Sequence, residues 1–181
     1  ADGAWVVVCD GMGGANGGNV ASSMALSCFE EQIRQEYQPG ASDEEVRRLL
    51  VTTADMANVR IYRAALQDPE LSGMGTTLVA ILVSGGKAHI VHAGDSRAYR
   101  ISRSGVKQLT VDHSMVQEML NRGDITREEA AHHPHKNIIT RALGVLDMVD
   151  VDYTQLDFGP GETLLACSDG LSNYVHAEQM Y

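Results

Sequence analysis

Apolar side chains recur with helical spacing along the first third of the chain. In one segment they fall at i, i+3, i+4, i+7, i+8 and i+12, which predicts a helix with one apolar face from about Gly18 to Gln35. Pro39 to Ala41 interrupts the pattern, and a capping box from Ser42 to Glu45 then opens a second helix. Its apolar stripe continues to about Gln67. The pattern therefore predicts two long consecutive helices.

Shorter apolar runs, separated by glycine-containing turns, follow the helices. Thr76 to Val83 and Lys87 to His92 flank the turn at residues 84–86 and predict an antiparallel hairpin. Two further runs, Ala98 to Ile101 and Val106 to Leu109, come after similar turns. We therefore expect several of these strands to form an antiparallel meander.

The last third of the chain mixes helical and strand patterns. Capping boxes that begin at Ser114 and Thr126 predict two short helices, the second of which ends at residues 132–135. Apolar and polar residues largely alternate from Val149 to Leu156, and another apolar run covers Thr163 to Cys167. These two runs are expected to form a final strand pair.

Two apolar runs of strand length end in an Asp-Gly pair. The run from Trp5 to Cys9 leads into Asp10, and the run from Leu164 to Cys167 leads to Asp169. A lone carboxylate is costly to remove from water, so each needs a cation or hydrogen-bond donors nearby. At Asp10 alone, a turn with the carboxylate on backbone N–H groups and a metal ligand are both open interpretations. The repetition at Asp169 favours a metal, because two converging carboxylates repel each other unless they share a cation.

The type of ligand restricts the metal and its chemistry. Oxygen ligands without a matching set of Cys or His side chains favour a hard ion such as Mg²⁺ or Mn²⁺. Two such ions can bind the oxygens of a phosphoryl group and activate a water molecule for attack. The residues therefore predict metal-assisted hydrolysis of a phosphoester.

Composition narrows the class of protein. The chain has 181 residues, 44% of them hydrophobic, which suits a single domain with one core. Its apolar runs are all far shorter than the roughly 20 residues of a membrane helix. There are 24 acidic and 14 basic residues, and the net charge of −10 disfavours nucleic acid and anionic membranes as partners. Three cysteines in apolar surroundings predict reduced thiols and a cytoplasmic location.

Six short motifs occur in the order that is typical of one enzyme family. They are Asp10 to Gly14 (DGMGG), Gly73 to Thr77 (GMGTT), Gly94 to Tyr99 (GDSRAY), Leu109 to Ser114 (LTVDHS), Arg141 to Gly144 (RALG) and Ser168 to Leu171 (SDGL). Together they resemble the metal-dependent PP2C-type (PPM) serine/threonine protein phosphatases in their bacterial form. The resemblance implies an α+β fold, a four-layer α-β-β-α sandwich of two antiparallel sheets flanked by helix pairs. It also implies that residues 1–181 form a single PP2C-like phosphatase domain.

The resemblance implies a set of site residues as well. Asp10 would bridge two Mn²⁺ or Mg²⁺ ions, the Gly11 carbonyl would bind one of them, and Asp169 would bind the other. Asp10 and Asp169 would thus be the catalytic residues. Asp112 would match a carboxylate that holds a weaker third ion together with Asp169. From spacing alone, Asp112 is instead a turn aspartate before the helix that Ser114 caps.

The sequence also departs from the family pattern. N-terminal strands with a phosphate-binding Arg and an acidic ligand have no counterpart, and neither does a C-terminal Asp-Asn-x-Thr motif. We therefore expect a chain clipped at both ends, whose 181 residues bind Mn²⁺ or Mg²⁺ weakly and turn over p-nitrophenyl phosphate poorly. Met12 stands where eukaryotic relatives have a histidine that is proposed as general acid, so another group or water must protonate the leaving oxygen. Met115 to Ile139 would correspond to the variable flap that influences substrate choice.

Several other polar residues are interpreted without a catalytic role. The histidines within residues 132–135 are predicted to lie in a solvated loop, because Pro134 interrupts helical ligand spacing. His113 either orients a water or carboxylate near Asp112 or is a satisfied structural histidine. Asp95 is predicted to brace a hairpin through Asx-type bonds and an ion pair with Arg97.

The predicted function is that of a cytoplasmic bacterial phosphatase. A metal-activated water would remove phosphate from phosphoserine or phosphothreonine in proteins that a bacterial Ser/Thr kinase modifies. The protein is expected to be a monomer with no nucleic-acid or membrane partner. Two alternatives stay open: a relative that acts on partner-switching regulators, and a non-catalytic pseudophosphatase that binds phosphoproteins or senses Mn²⁺.

Overall fold

The two long helices form where the apolar periodicity predicts them. The computed structural model describes residues 3–14, 16–175 and 179–180, and in it α1 spans Gly17–Glu36 and α2 spans Asp43–Gln67. The capping box at the start of α2 is present. The Ser42 hydroxyl accepts from the Glu45 N–H over 3.3 Å, and the Glu45 carboxylate accepts from the Ser42 N–H over 2.8 Å. Local sequence signals therefore determine both helices.

The described strands are all antiparallel and form two sheets and a short ribbon. The four-stranded sheet has the order β1-β4-β5-β8, with β1 Ala4–Val8, β4 Leu78–Ser84, β5 Lys87–Ala93 and β8 Asp152–Asp157. The three-stranded sheet has the order β7-β6-β9, with β6 Arg97–Ser102, β7 Gly105–Gln108 and β9 Thr163–Cys167. The two-residue strands β2 (Gly11–Met12) and β3 (Gly75–Thr76) pair with each other.

The strand pairing corrects two of the predictions. The β4-β5 and β6-β7 hairpins are confirmed, but β5 and β6 lie in different sheets, so the continuous meander is wrong. The predicted final pair is wrong too, because β8 pairs with β5 and β9 pairs with β6. Alternation of apolar and polar residues specifies which face of a strand is buried, but it does not specify the neighbouring strand.

Two hydrophobic cores lie on opposite faces of the four-stranded sheet, so the single core expected from the chain length is wrong. On one face, α1 and α2 bury side chains that include Phe29, Leu50 and Ile61 against β4 and β5. On the other face, Val79 and other residues of β4 and β5 pack against β6 and β9 of the second sheet. The order helix pair, sheet, sheet confirms the α+β class and the packed antiparallel sheets.

The segment at residues 142–147 is fixed to helix α2 and to β3. Buried Asn58 of α2 accepts from the Gly144 N–H over 2.7 Å and donates to the carbonyls of Leu146 and Asp147 over 3.1 and 3.2 Å. Thr76 and Leu143 exchange two backbone hydrogen bonds, of 3.0 and 2.9 Å. Gly144 has a φ of +85°, and an added Cβ would lie 2.1 Å from a methyl group of fully buried Ile61.

Three shorter helices follow the hairpins. They are α3 (Met115–Arg122), α4 (Arg127–Ala131) and α5 (Asp169–Ser172), and α3 and α4 contact each other. Ser114 and Thr126 cap the first two, each accepting from the backbone N–H three residues later. The reciprocal bond of the predicted capping box is described at Thr126 but not at Ser114, where the Gln117 amide donates to Asn121 instead. Among the residues that the structure describes, no helix is long and apolar enough to cross a membrane.

Candidate metal centre

Asp10 is held by its backbone at the point where β1 leaves the four-stranded sheet. Its carbonyl accepts from the Thr77 N–H over 2.9 Å, and its N–H donates to the Thr77 hydroxyl over 3.0 Å. The next two residues, Gly11 and Met12, form the short strand β2. The side chain of Asp10 therefore projects from a backbone that is fixed independently of the carboxylate.

Position 11 requires a glycine because the backbone of helix α1 approaches it too closely for a side chain. A Cβ added to Gly11 would lie 1.9 Å from the Gly18 carbonyl oxygen, and one added to Gly18 would lie 2.7 Å from the Gly11 carbonyl carbon. The Gly18 N–H also donates to the Gly13 carbonyl over 3.0 Å. The first turn of α1 thus packs directly on the backbone of the predicted metal ligands.

Asp169 reaches the same region from the other sheet. It is the first residue of α5, separated by one residue from the end of β9, and its carboxylate accepts from the Asn173 amide over 3.1 Å. Burial raises the pKa of Asp10, and the charge of Asp169 and a hydrogen-bond contact with it raise that pKa further. The two strand-end aspartates therefore converge as expected, across the interface between the two sheets.

Asp95 belongs to the same cluster, which the sequence interpretation missed. It lies in the turn between β5 and β6, and its pKa is raised to about 6 by burial and then by the charges of Asp169, Asp112 and Asp10. The sequence does contain a signal, since Asp95 is a third aspartate near the end of an apolar strand, although its glycine precedes it and does not follow it. The same pattern is also typical of an Asx turn, so the residues around Asp95 do not distinguish the two roles.

Arg97 pairs with Asp112 and not with Asp95. The Arg97 Nε and Nη2 atoms donate to the two carboxylate oxygens of Asp112 over 2.9 and 2.6 Å. The Gln108 amide donates to the same carboxylate over 3.2 Å. Because both oxygens are already bound, the described geometry favours a structural role for Asp112 over metal ligation. The predicted ion pair between Asp95 and Arg97 is wrong.

The donor set at this site fits a divalent cation. In the described part of the chain, no Lys, Arg or His side chain forms an ion pair with Asp10, Asp95 or Asp169. Three carboxylates that partly lose water without a compensating charge destabilise one another, as the raised pKa values of Asp10 and Asp95 show. Carboxylate and carbonyl oxygens are the ligands that Mg²⁺ and Mn²⁺ prefer.

Replacing Asp95 with asparagine is expected to stabilise the metal-free chain at neutral pH. The folded-state pKa of Asp95 lies above its unfolded value, so its contribution to stability is present at low pH and is lost as pH rises through about 6. Asp95→Asn should therefore raise the free energy of urea unfolding by about 1–2 kcal/mol near pH 7.5, in the presence of a chelator.

The stabilisation by Asp95→Asn should become smaller as pH falls, because the wild-type carboxyl group then binds a proton and loses its charge. Asp147→Asn, an equal change of charge at an exposed residue, is the control and should show no comparable pH dependence. A gain from Asp95→Asn that is the same near pH 4 and pH 7.5 would contradict the placement of Asp95 among negative charges.

The histidines behave as two separate groups. Within residues 132–135 they are exposed or half-exposed, which confirms the loop interpretation. His113 is buried and has hydrogen-bond partners, as expected of a satisfied structural histidine. Burial, and next the neighbouring His92, lowers the pKa of His113.

Comparison with known proteins gives a consistent result. A family model described as "Protein phosphatase 2C" matches residues 1–181. The chain is 42% identical over 175 residues to "Serine/threonine phosphatase stp" of Listeria innocua, which covers 97% of this chain and 69% of that protein. The crystal structure of the Mycobacterium tuberculosis serine/threonine phosphatase PstP/Ppp superposes with a TM-score of 0.88 at 36% identity, covering 97% of this chain and 72% of that one. A structure titled as the catalytic domain of PstP in complex with two manganese ions superposes with a TM-score of 0.85 at 34% identity, covering 97% and 71% of the two chains.

Proposed function

Because this chain belongs to the protein phosphatase 2C family, we propose that its carboxylate cluster is the metal centre of a protein serine/threonine phosphatase. The observation that supports this most directly is the convergence of Asp10 and Asp169 from two different sheets. Their charges have no basic partner among residues 3–14, 16–175 and 179–180. The enzyme is a hydrolase that acts on phosphoserine and phosphothreonine in proteins.

Each oxygen ligand of the cluster has a proposed role. The charge of Asp169 acts on both Asp10 and Asp95. In the proposed centre Asp10, the Gly11 carbonyl and Asp169 would together hold two ions, with Asp10 as the ligand that both ions share. Asp95 replaces Asp112 as the proposed carboxylate of a third, weaker site, because Arg97 already binds both oxygens of Asp112. When Mn²⁺ or Mg²⁺ is bound, the ions supply Lewis acidity for the phosphoryl oxygens and activate the attacking water.

The chain's own residues shape the space beside the cluster. Met12 lies next to Gly75 and Val145 and has no proton to donate, so another group or water must protonate the leaving oxygen. Met12, two residues after Asp10, also lines a cavity of about 530 Å³ together with Ile139, Arg141, Val145, Leu146 and Met148. The carboxylates of the cluster are not among the described residues that line this cavity. We propose that the polypeptide around the phosphorylated residue lies in this cavity, which a small phosphoester would leave empty.

The cellular setting is proposed on the same grounds. Substrates would be proteins that a bacterial Ser/Thr kinase phosphorylates, and the enzyme would act in the cytoplasm as a monomeric single domain. The net charge of −10 supports the absence of nucleic-acid and membrane partners.

A comparison of phosphopeptides tests the activity. With millimolar Mn²⁺ and a high concentration of the chain, phosphate should be released from phosphothreonine and phosphoserine peptides, and a chelator should stop the release. A phosphotyrosine peptide of the same sequence is the control and should react far more slowly. Asp169→Ala should abolish release, and full activity in that variant, or in the chelated wild type, would sink the proposal.

A further inference from the structure

His113 makes two hydrogen bonds to the residue that precedes Asp95. Its side chain and backbone are only 7% exposed. The His113 N–H donates to the Gly94 carbonyl over 2.9 Å, and the ring Nδ1 accepts from the Gly94 N–H over 3.2 Å. Both polar backbone groups of Gly94 are thus bound by one residue.

The residue after Asp95 is held from the opposite side. The Ser96 hydroxyl lies 2.6 Å from the Thr77 hydroxyl, which also accepts from the backbone N–H of Asp10. Gly94 itself has a φ of +104°, and an added Cβ would lie 2.8 Å from a methyl carbon of Thr77. The turn that carries Asp95 is therefore confined between His113 and Thr77.

The hydrogen bonds determine the tautomer of His113. A backbone N–H can only donate, so Nδ1 is the acceptor and the proton of the neutral ring is on Nε2. Nε2 lies 3.3 Å from a carboxylate oxygen of Asp152, and Asp152 is in turn held by Arg141 over 3.1 Å. Both edges of the ring are therefore held: the Nδ1 edge by Gly94 and the Nε2 edge by Asp152.

A metal site at this position is excluded by the same contacts. His92, His113 and Asp152 have ligand atoms within 4.8 Å of one another, which is a spacing that metals use. Ligation through Nε2 of His113 would require that atom to be unprotonated while Nδ1 accepts from Gly94. Arg141 Nη1 also lies 3.4 Å from this Nε2 and places a positive charge where the cation would bind.

We propose that His113 is a positioning residue for the metal centre, and that it acts by holding Gly94 so that Asp95 stays among the carboxylates. The inference rests on the proposed function, since it takes Asp95 to face the bound ion. Without the contact to Gly94, the turn would become ordered only when the ion binds. The conformational entropy lost in that ordering would make the binding free energy less favourable and so lower the affinity for the ion. Partners that orient a metal ligand in this way contribute about 10- to 100-fold in affinity.

Two amide substitutions separate the contacts of the ring. His113→Asn places an amide oxygen near the position of Nδ1 and keeps a side-chain acceptor for the Gly94 N–H, whereas His113→Gln places its amide near Nε2 and keeps only the side-chain contact with Asp152. The backbone N–H of residue 113 can donate to the Gly94 carbonyl in both variants, so the pair tests the ring contact alone. By isothermal titration calorimetry, the affinity of the weaker Mn²⁺ site, to which Asp95 is assigned, is expected to fall about 10- to 100-fold in His113→Gln but less than about threefold in His113→Asn. Urea unfolding of both metal-free variants measures the structural cost separately.

Any other outcome for the two His113 variants contradicts the proposal. Equal losses of affinity in the two variants, in parallel with their losses of stability, would show a merely structural histidine. Unchanged affinity in both, or loss in His113→Asn alone, would show that the contact with Gly94 does not act on the metal centre. Nitrogen NMR of the wild-type imidazole gives a test that needs no variant, because a proton on Nδ1 contradicts the contact with Gly94.

Asp95→Asn distinguishes this inference from the proposed function. If Asp95→Asn loses Mn²⁺ affinity and the His113 variants do not, the metal centre stands and the role of His113 is wrong. If Asp95→Asn binds Mn²⁺ as the wild type does, the proposed place of Asp95 in the metal centre is wrong, and the inference fails with it.

Discussion

Asp10→Asn is expected to weaken Mn²⁺ binding by more than about 100-fold, because it removes the carboxylate shared by the proposed ions. Hydrolysis of a phosphothreonine peptide should fall by roughly 10³-fold or more, since the loss of several kcal/mol of Lewis-acid stabilisation has that effect on rate. The fold should survive, because the contacts of Asp10 with Thr77 are made by its backbone. Calorimetric titration with Mn²⁺ and phosphate release measure the two effects.

Stability of the metal-free chain should change in the opposite direction. Burial and Asp169 raise the pKa of Asp10, so the neutral asparagine removes a repulsion that the folded state bears at neutral pH. Asp147→Asn is the matched control, with the same loss of charge at an exposed position. Wild-type Mn²⁺ affinity in Asp10→Asn would rule out Asp10 as a ligand.

Gly144→Ala is expected to be among the most destabilising single substitutions in the chain. The φ of +85° at Gly144 costs an L-residue about 1–2 kcal/mol. The added Cβ would also lie 2.1 Å from Ile61, which is fully buried and cannot move aside. Such overpacking adds about 1–3 kcal/mol to the loss of unfolding free energy.

Gly123→Ala separates these two costs. Gly123 ends α3 with a φ of +78°, and an added Cβ there has nothing within 4 Å. Both substitutions therefore carry the backbone cost, and only Gly144→Ala carries the clash. Urea unfolding should show a larger loss for Gly144→Ala, and equal losses would contradict the tight packing of the segment at residues 142–147 on α2.

The helices could be predicted because the signals for them are local. The stripe of α1 and the capping box of Ser42 involve residues within one or two helical turns, and both boundaries agree with the structure within one or two residues. Sheet partners are different, since β5 pairs with β8 through contacts such as Lys87 opposite Asp157, far apart in the chain. No local pattern distinguishes that neighbour from the next strand in sequence.

The site was predicted in part for the same reason. The strand-end position of Asp10 and Asp169 can be read from the residues around each, and their convergence then requires only that both strands belong to one core. The roles of Asp95 and Asp112 depend on which of them Arg97 reaches. Arg97 is two residues from Asp95 but bonds to Asp112, fifteen residues away. Distance along the chain therefore favoured the wrong pair.

The close approach of Gly11 and Gly18 has a consequence for how this sequence can evolve. In both directions the atoms that an added Cβ would meet belong to the backbone, so no second mutation can make room by shortening a side chain. In a mutational library, the two positions should reject every substitution, alone or together. A descendant that had lost its metal and its activity would still have to keep both glycines. Their retention in a homologue would therefore be evidence for the fold, whereas retention of Asp10 would be evidence for the chemistry.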